Sequence, residues 1–206
     1  APHNLDLWQW ICGMPESVTA FCDVAKYHNI EVEDDVTIFT RYANGATGVF
    51  MTSTGEYPGT NRLEISGDLG KIVLENGILK WYKLKQSASE VIAESSQSFA
   101  QIDYDYEEIS QDGPEASHKG ILQNFANAIL SGEELIAPGT DGIYELTLSN
   151  AAYLSQWQGN IAVALPFDDA LFDRLLAQKK ISSHYHEAES AGKENMSYLP
   201  RWQVRW

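Results

Sequence analysis

Short runs of β-branched and aromatic residues, separated by tight turns, fill most of the sequence between residues 17 and 84 and constrain the fold more than any other feature. Asn44-Gly45 lies between two of these runs and is typical of a β-hairpin. Because short turns join antiparallel neighbours, the runs predict one broad, mostly antiparallel, open-faced sheet. The predicted strands are Ser17–Val24, Val36–Tyr42, Thr47–Thr54, Arg62–Ser66, Lys71–Glu75 and Ile78–Leu84, with weaker candidates at Val91–Ala93 and Tyr104–Ile109.

Apolar residues recur with a helical period near the start of the sequence and again after Pro114. Strands gathered in one block and helices in another predict an α+β fold with the helices packed on one face of the sheet. Residues 1–181 are interpreted as one domain, and residues 182–206 as a tail whose aromatic and basic end docks on this subunit or a neighbour. The predicted helices are Asn4–Cys12, Ser117–Leu130, Asp141–Trp157 and Asp168–Ala177, and Ile161–Leu165 is predicted as an edge strand.

The charge and the cysteine count exclude several classes of protein. The formal net charge of -15 repels phosphate backbones and anionic lipids, so neither nucleic acid nor a membrane is an expected partner. No apolar run is long enough to span a bilayer, and the regions of a signal peptide are missing.

Cys12 and Cys22 predict two buried free thiols in a reducing compartment, the cytoplasm. Because the sequence enters a helix at once and lacks an initiator Met, we expect a segment of a larger protein.

Motifs for cofactor, metal and nucleophile chemistry are absent or weak in the sequence. Gly67-x-x-Gly70 precedes a strand, so it is interpreted as a hairpin turn and not as a phosphate-binding loop. His184 and His186 flank Tyr185, but no Cys or His cluster completes a four-ligand site, so a polar tail is favoured over a metal site. His3, at the start of the first predicted helix, fits either a surface residue or an acid/base that titrates near neutral pH.

Several motifs also follow one another in a specific order. His3-x-x-Asp6 leads a helix that ends in Gly13-x-Pro15, and an acidic loop, Glu33-Asp34-Asp35, comes before Asn44-Gly45. In this order the chain resembles the C-terminal domain of the glucose–fructose oxidoreductase, inositol dehydrogenase and MocA-like family. The resemblance extends to about Pro166 through Arg62–Gly70, Asn124–Ile129 and Asn150–Ser155.

This resemblance implies a two-domain oxidoreductase whose N-terminal Rossmann domain binds NAD or NADP. The chain would be the second domain, which holds a sugar, cyclitol or related polyol and builds dimers or tetramers. The resemblance implies that His3 is the acid/base, because removal of hydride from a carbinol carbon leaves a proton on the hydroxyl group. The family's acidic residue one helical turn earlier would fall before Ala1, and its Glu-Lys-Pro lysine belongs to the first domain. We therefore expect this segment to be inactive by itself.

Polar residues between two predicted strands are candidates for substrate contact. Tyr57, Asn61 and Arg62 lie in a segment rich in hydroxyl, amide and charged groups, which suits a polyol. A solvated loop with a Pro-Gly turn fits the same residues equally well.

An open sheet needs a cover for its apolar side chains, so we expect a second subunit to pack on the sheet face in an isologous interface. The residues expected there are Phe39, Phe50, Trp81 and Tyr82. Two other functions fit the sequence: a non-catalytic binding or scaffold protein of the same fold, and a carbohydrate-binding β-module whose six Trp stack on sugars. A Rossmann glycine motif encoded upstream of Ala1 would favour the enzyme.

Overall fold

The computed structural model describes residues 2–97, 99–110 and 117–183. These residues form two compact units, the first from residues 2–57 and 117–183 and the second from residues 58–97 and 99–110. The predicted α+β class is confirmed. The strands form two four-stranded antiparallel sheets, however, and not the single broad sheet that the turns predicted. Turn residues determine which strands pair in a hairpin, but they do not determine where a sheet ends.

The observed elements follow the predicted order closely. They are α1 (Pro2–Cys12), β1 (Ser17–Val24), β2 (Glu33–Arg41), β3 (Thr47–Ser53), β4 (Arg62–Gly67), β5 (Gly70–Glu75), β6 (Ile78–Leu84), α2 (Ala88–Glu94), β7 (Tyr104–Ser110), α3 (Ser117–Ser131), a 3-10 turn (Gly139–Asp141), α4 (Gly142–Trp157), β8 (Val163–Ala164) and α5 (Asp169–Ile181).

Two local predictions were wrong. Val91–Ala93 is not a strand but part of α2, which Ser87 caps by accepting a hydrogen bond from the backbone N–H of Glu90 at 3.2 Å. The Ser-x-x-Glu spacing of a capping box is the signal that was missed. The acidic residues from Glu33 onwards are not a loop but the first residues of β2, and Asp34 is buried there.

The core of the first unit lies between one face of the sheet β3-β2-β1-β8 and the helices α1 and α4. Alternate residues of β1 point into this core, as a period of two requires for a half-buried strand. The buried core residues are Leu5, Trp8, Val18, Ala20, Cys22, Ile38, Leu148, Ala151, Ala152, Leu154 and Val163.

Polar side chains at the end of α4 cover the edge of β1 that β8 leaves open. The hydroxyl of Ser155, which is fully buried, accepts from the backbone N–H of Ala20 at 2.9 Å and donates to the carbonyl of Ile161 at 2.7 Å. Gln156 accepts from the N–H of Cys22 at 3.0 Å. These bonds satisfy backbone groups that an uncovered edge would leave unpaired, and they fix α4 relative to β1.

The opposite face of this sheet carries apolar side chains that none of the described residues of the unit covers. Phe21, Val49 and Met51 are 57%, 62% and 73% exposed, and Phe39 lies beside Val49 in the strand register. Phe50, which we predicted on this face, points the other way and stacks on Trp8 with the ring centroids 6.1 Å apart. Its partner in the register is the buried Ile38, and this pairing assigns Phe50 to the core face.

The second unit is an antiparallel meander in the order β4-β5-β6-β7. Asn76 and Gly77, with φ of 53° and 74°, form the tight turn between β5 and β6, and positive φ at both positions matches a type I′ hairpin. Trp81 and Tyr82 are neighbours on β6 and therefore point to opposite faces, so they cannot share the one interface face predicted for them. Gly67 pairs with Gly70 where β4 meets β5, which confirms the predicted hairpin turn.

Within the described part of the chain, no helix has both the length and the apolar character needed to cross a membrane.

Both cysteines are free thiols, as predicted, although Cys12 is only partly buried. Burial raises the pKa of Cys22 to about 11, with smaller contributions from Glu33 and Asp23. The predicted tail beyond residue 183, including His184 and His186, lies outside the described residues.

Candidate active site

The first turns of α1 carry a polar stripe that begins with His3. His3, Asp6 and Gln9 are spaced three residues apart, so they lie on the same side of the helix. His3 and Asp6 are exposed, whereas Gln9 is buried and donates from Nε2 to Asp6 Oδ1 at 2.9 Å. The stripe thus runs from an accessible imidazole to a buried amide, and Gln9 holds the Asp6 carboxylate in place.

Glu145 in the first turn of α4 extends this group of side chains. Helix α1 packs along α4, and Leu5 and Leu148 share one core on the two helices. Glu145 is one turn before Leu148 and only partly exposed. Burial raises the pKa of Glu145 and the negative charge of Asp6 raises it further, whereas His3 acts in the opposite direction. Glu145 therefore lies close enough to Asp6 and His3 for their charges to change its pKa.

The sequence analysis missed Glu145. The available signal was its spacing, because a glutamate three residues before Leu148 continues the buried stripe of α4 towards the helix start. A carboxylate on a core-facing stripe is uncommon unless it has a partner or a task.

Chemically, this group can accept, hold and release a proton. An imidazole at an exposed helix start can accept or donate a proton at a hydroxyl group that comes within hydrogen-bond distance. A carboxyl whose pKa is raised by burial is also typical of acid/base sites.

The predicted substrate contacts are distributed between the two units. Tyr57 ends the first unit and is 97% exposed, whereas Asn61 and Arg62 belong to the second. The Arg62 guanidinium, at the start of β4, pairs with Glu64 and lies 3.4 Å from Glu75 across the strand pair. The hydrogen bond that Arg62 donates to Glu64, followed by the charges of Glu75 and Glu64, raises the pKa of Arg62. Arg62 therefore belongs to an exposed network of charges on the sheet surface.

No three His, Cys, Asp or Glu side chains cluster as metal ligands in the residues that the structure describes.

The first unit thus combines an antiparallel sheet, helices on one face of it and a histidine in the first turn of its leading helix. Residues 1–73 match the family model described as the GFO/IDH/MocA C-terminal domain. The predicted resemblance to the C-terminal domain of a Gfo/Idh/MocA-like oxidoreductase is therefore confirmed.

Solved structures share this fold over most of the chain. The WlbA dehydrogenase from Chromobacterium violaceum, in complex with NADH and UDP-GlcNAcA, is 28% identical with a TM-score of 0.59, over 81% of this chain and 44% of that one. The aldose-aldose oxidoreductase from Caulobacter crescentus, complexed with glycerol, is 20% identical with a TM-score of 0.60, over 80% and 45%. A levoglucosan dehydrogenase in complex with NADH and levoglucosan is 19% identical with a TM-score of 0.59, over 81% and 49%.

The chain thus spans less than half the length of each of these proteins. No match to a curated protein was found.

Proposed function

We propose that the chain is the substrate-binding C-terminal domain of an NAD(P)-dependent oxidoreductase that acts on a sugar, cyclitol or related polyol. The observation that carries this proposal is His3 at the start of α1, with Asp6 and the partly buried Glu145 beside it. Solved structures of this fold in complex with NADH and a sugar ligand support it.

In this proposal the nicotinamide, when bound, supplies or accepts the hydride, and the chain handles the proton. His3 takes the proton from the substrate hydroxyl as the carbon–oxygen double bond forms, and it returns the proton in the reverse direction. Asp6, held by Gln9, and Glu145 place carboxyl groups beside the imidazole. A separate Rossmann domain holds the dinucleotide.

The substrate contacts that we propose are Tyr57, Asn61 and Arg62. Phenol, amide and guanidinium groups donate hydrogen bonds to hydroxyl oxygens, and the carboxylates paired with Arg62 accept from hydroxyl groups. Each hydroxyl group of a polyol can both donate and accept a hydrogen bond, and such groups lie on neighbouring carbons. A mixed set of donors and acceptors suits this ligand.

We also propose that two copies associate through the uncovered face of the first sheet. Phe21, Phe39, Val49 and Met51 give this face an apolar surface, and an isologous contact would bury it in both copies. Two free thiols are consistent with a cytoplasmic protein.

The test uses the full-length protein, a panel of aldoses, cyclitols, levoglucosan and UDP-sugars, and both NAD and NADP, with the reduced cofactor followed by absorbance. We expect turnover of at least one panel member. His3→Asn should lower kcat by about 10²- to 10⁴-fold, the range for loss of a general acid or base, while the Kd of the cofactor stays unchanged. His118→Asn is the matched control, because His118 is also exposed in the first turn of a helix.

Wild-type protein that binds a nicotinamide cofactor but reduces or oxidises no panel member would contradict the proposed substrate class. An active protein in which His3→Asn and His118→Asn behave alike would remove His3 from the mechanism and leave the oxidoreductase assignment standing.

A further inference from the structure

A buried carboxylate at the start of β2 holds the preceding loop in place. The Asp34 side chain is 0% exposed, and it accepts hydrogen bonds from three consecutive backbone N–H groups. These belong to Lys26 at 3.0 Å, Tyr27 at 2.7 Å and His28 at 2.9 Å. Nδ1 of the His28 ring lies 3.3 Å from the same carboxylate. Such a convergence of N–H groups forms a concave anion site, and here the anion is a side chain of the protein itself.

The same residue also holds the end of β3. The carbonyl of Asp34 accepts from the backbone N–H of Thr54 at 2.9 Å and from its hydroxyl at 3.3 Å. The Thr54 hydroxyl lies 3.1 Å from Nδ1 of His28, so the imidazole stands between the Asp34 carboxylate and Thr54. Asp34 thus connects the loop before β2 with the segment after β3 by two routes, its own main chain and the His28 ring.

Close packing of Tyr27 against Gly55 reinforces this connection. A Cβ atom at Gly55 would lie only 2.4 Å from the Tyr27 ring, so the ring occupies the space that any side chain there would need. Asp34 binds the backbone N–H of Tyr27 at 2.7 Å, and the Tyr27 hydroxyl donates to Asp35 at 3.0 Å, so the ring is held at both ends.

The charge on Asp34 is held by hydrogen bonds and not by a lysine or arginine. Burial alone would raise the pKa of this carboxyl, but the N–H groups of Tyr27, Lys26 and His28 outweigh burial and lower it to about 2. The adjacent Asp35 differs, because its side chain is 23% exposed and pairs at the surface with Lys26 at 2.6 Å. A buried, ionised carboxylate has a desolvation cost that the exposed neighbour avoids. Because Asp34 joins the loop before β2 to the segment after β3, this cost points to a role in holding that segment in position.

We propose that Asp34 is a positioning residue that, through His28 and Thr54, fixes the segment 54–57 so that Tyr57 meets the substrate. This proposal rests on the proposed function, in which Tyr57 contacts the polyol. Tyr57 is 97% exposed, so the backbone before it, and not packing against neighbouring side chains, fixes the point from which its side chain extends. Displacement of Tyr57 would weaken its hydrogen bond to the bound substrate and so raise KM.

The experiment measures kcat and KM in the full-length enzyme for Asp34→Asn, Thr54→Val and the control Asp35→Asn. Asp34→Asn replaces one carboxylate oxygen by an NH₂ group, which cannot accept a hydrogen bond from the backbone N–H groups of Lys26, Tyr27 and His28. Thr54→Val removes only the hydroxyl and leaves the buried carboxylate intact, so it also serves if Asp34→Asn fails to fold. We expect both variants to raise KM for the substrate about tenfold with kcat within about twofold of wild type, the pattern of lost ground-state contact. Asp35→Asn should leave both constants within about twofold, because the asparagine oxygen can still accept from the Tyr27 hydroxyl.

A lowered kcat at unchanged KM, or a folded Thr54→Val enzyme with the wild-type KM, would overturn the positioning role while the proposed function stands. Wild-type protein that acts on no polyol would overturn the proposed function and this inference together. Equal rises of KM in Asp34→Asn and Asp35→Asn would also count against it, because surface charge and not the buried connection would then be responsible.

Discussion

The Trp8 ring of α1 lies directly over Gly48 of β3, in the space where any other residue would carry its Cβ atom. A Cβ built on Gly48 would be 2.3 Å from Cζ2 of Trp8 and 2.9 Å from Oγ1 of Thr40. The missing side chain lets α1 approach the sheet closely, and Trp8 becomes buried between Gly48 and the ring of Phe50. The position of the helix that carries His3 therefore depends on this glycine.

Gly48→Ala should destabilise the first unit, since the Trp8 ring must move or β3 must shift. Overpacking of this kind costs about 1–3 kcal/mol, which lowers Tm by several degrees in a protein of this size. The Tm of Gly48→Ala and of wild type would be measured by thermal unfolding, with circular dichroism as the signal. Gly139→Ala is the control, because a Cβ there meets nothing within 4 Å, and we expect its Tm to stay close to wild type. Equal Tm values for the two variants would show that Trp8 adapts without cost.

Glu145→Gln should separate stability from activity. The raised pKa of Glu145 means that folding favours its neutral form, so the folded state is disfavoured progressively as pH rises from the unfolded pKa through the folded one. A neutral glutamine escapes this penalty, so the Tm of Glu145→Gln near pH 7 should be higher than that of wild type. At pH 4 the difference should vanish. Turnover should fall nevertheless, because a charge beside His3 is lost.

Tm measured at pH 4 and pH 7, together with kcat, would test this prediction. Glu134→Gln, an exposed glutamate outside the group around His3, is the control. A Glu145→Gln variant that melts lower than wild type at pH 7 would contradict it.

Acid should weaken the protein partly through Asp34. Because the folded pKa is lowered to about 2, the carboxylate contributes stability above its unfolded pKa, about 3.9. That contribution is lost as pH falls from about 4 through about 2. Asp34→Asn should therefore unfold at lower urea concentration near neutral pH and show a flatter dependence of the urea midpoint between pH 4 and pH 2. Urea titrations at four pH values would measure this, with Asp35→Asn as the comparison. Parallel pH dependence in wild type and Asp34→Asn would show that Asp34 is not the titrating group.

Met51→Glu should break the proposed association of two copies. Met51 is 73% exposed on the uncovered sheet face, and an isologous contact would bury two added carboxylates without partners. Light scattering after size exclusion should show a lower oligomer mass than that of wild type. Ile181→Glu is the control, because Ile181 is 85% exposed on α5, away from the sheet. If Met51→Glu keeps the wild-type mass, the interface lies elsewhere.

Local patterns predicted the elements well because their physical causes are local. β-Branched and aromatic residues along Ser17–Val24 identified β1 at its observed bounds, and the Asn-Gly pairs identified two hairpins. The order of motifs predicted the family, and the confirmed match begins with the segment that holds His3. The features that the sequence did not predict depend on contacts between residues that are far apart in the chain.

Phe50, Asp34 and Glu145 illustrate that limit. The side of the sheet to which Phe50 points depends on its register with Ile38, and a shift by one residue would reverse it. Asp34 is buried only because the loop before β2 folds back over it, and Glu145 comes near His3 only because α1 packs along α4.

The sequence by itself determined the α+β class, the hairpins and the likeness to an oxidoreductase C-terminal domain, because periodicity, turn residues and motif order act between neighbours in the chain. Only the tertiary structure decided that the strands divide into two sheets, which sheet face no described residue covers, and which carboxyl groups lie near His3. Those features depend on burial and packing between residues far apart in the sequence, and no local pattern encodes them.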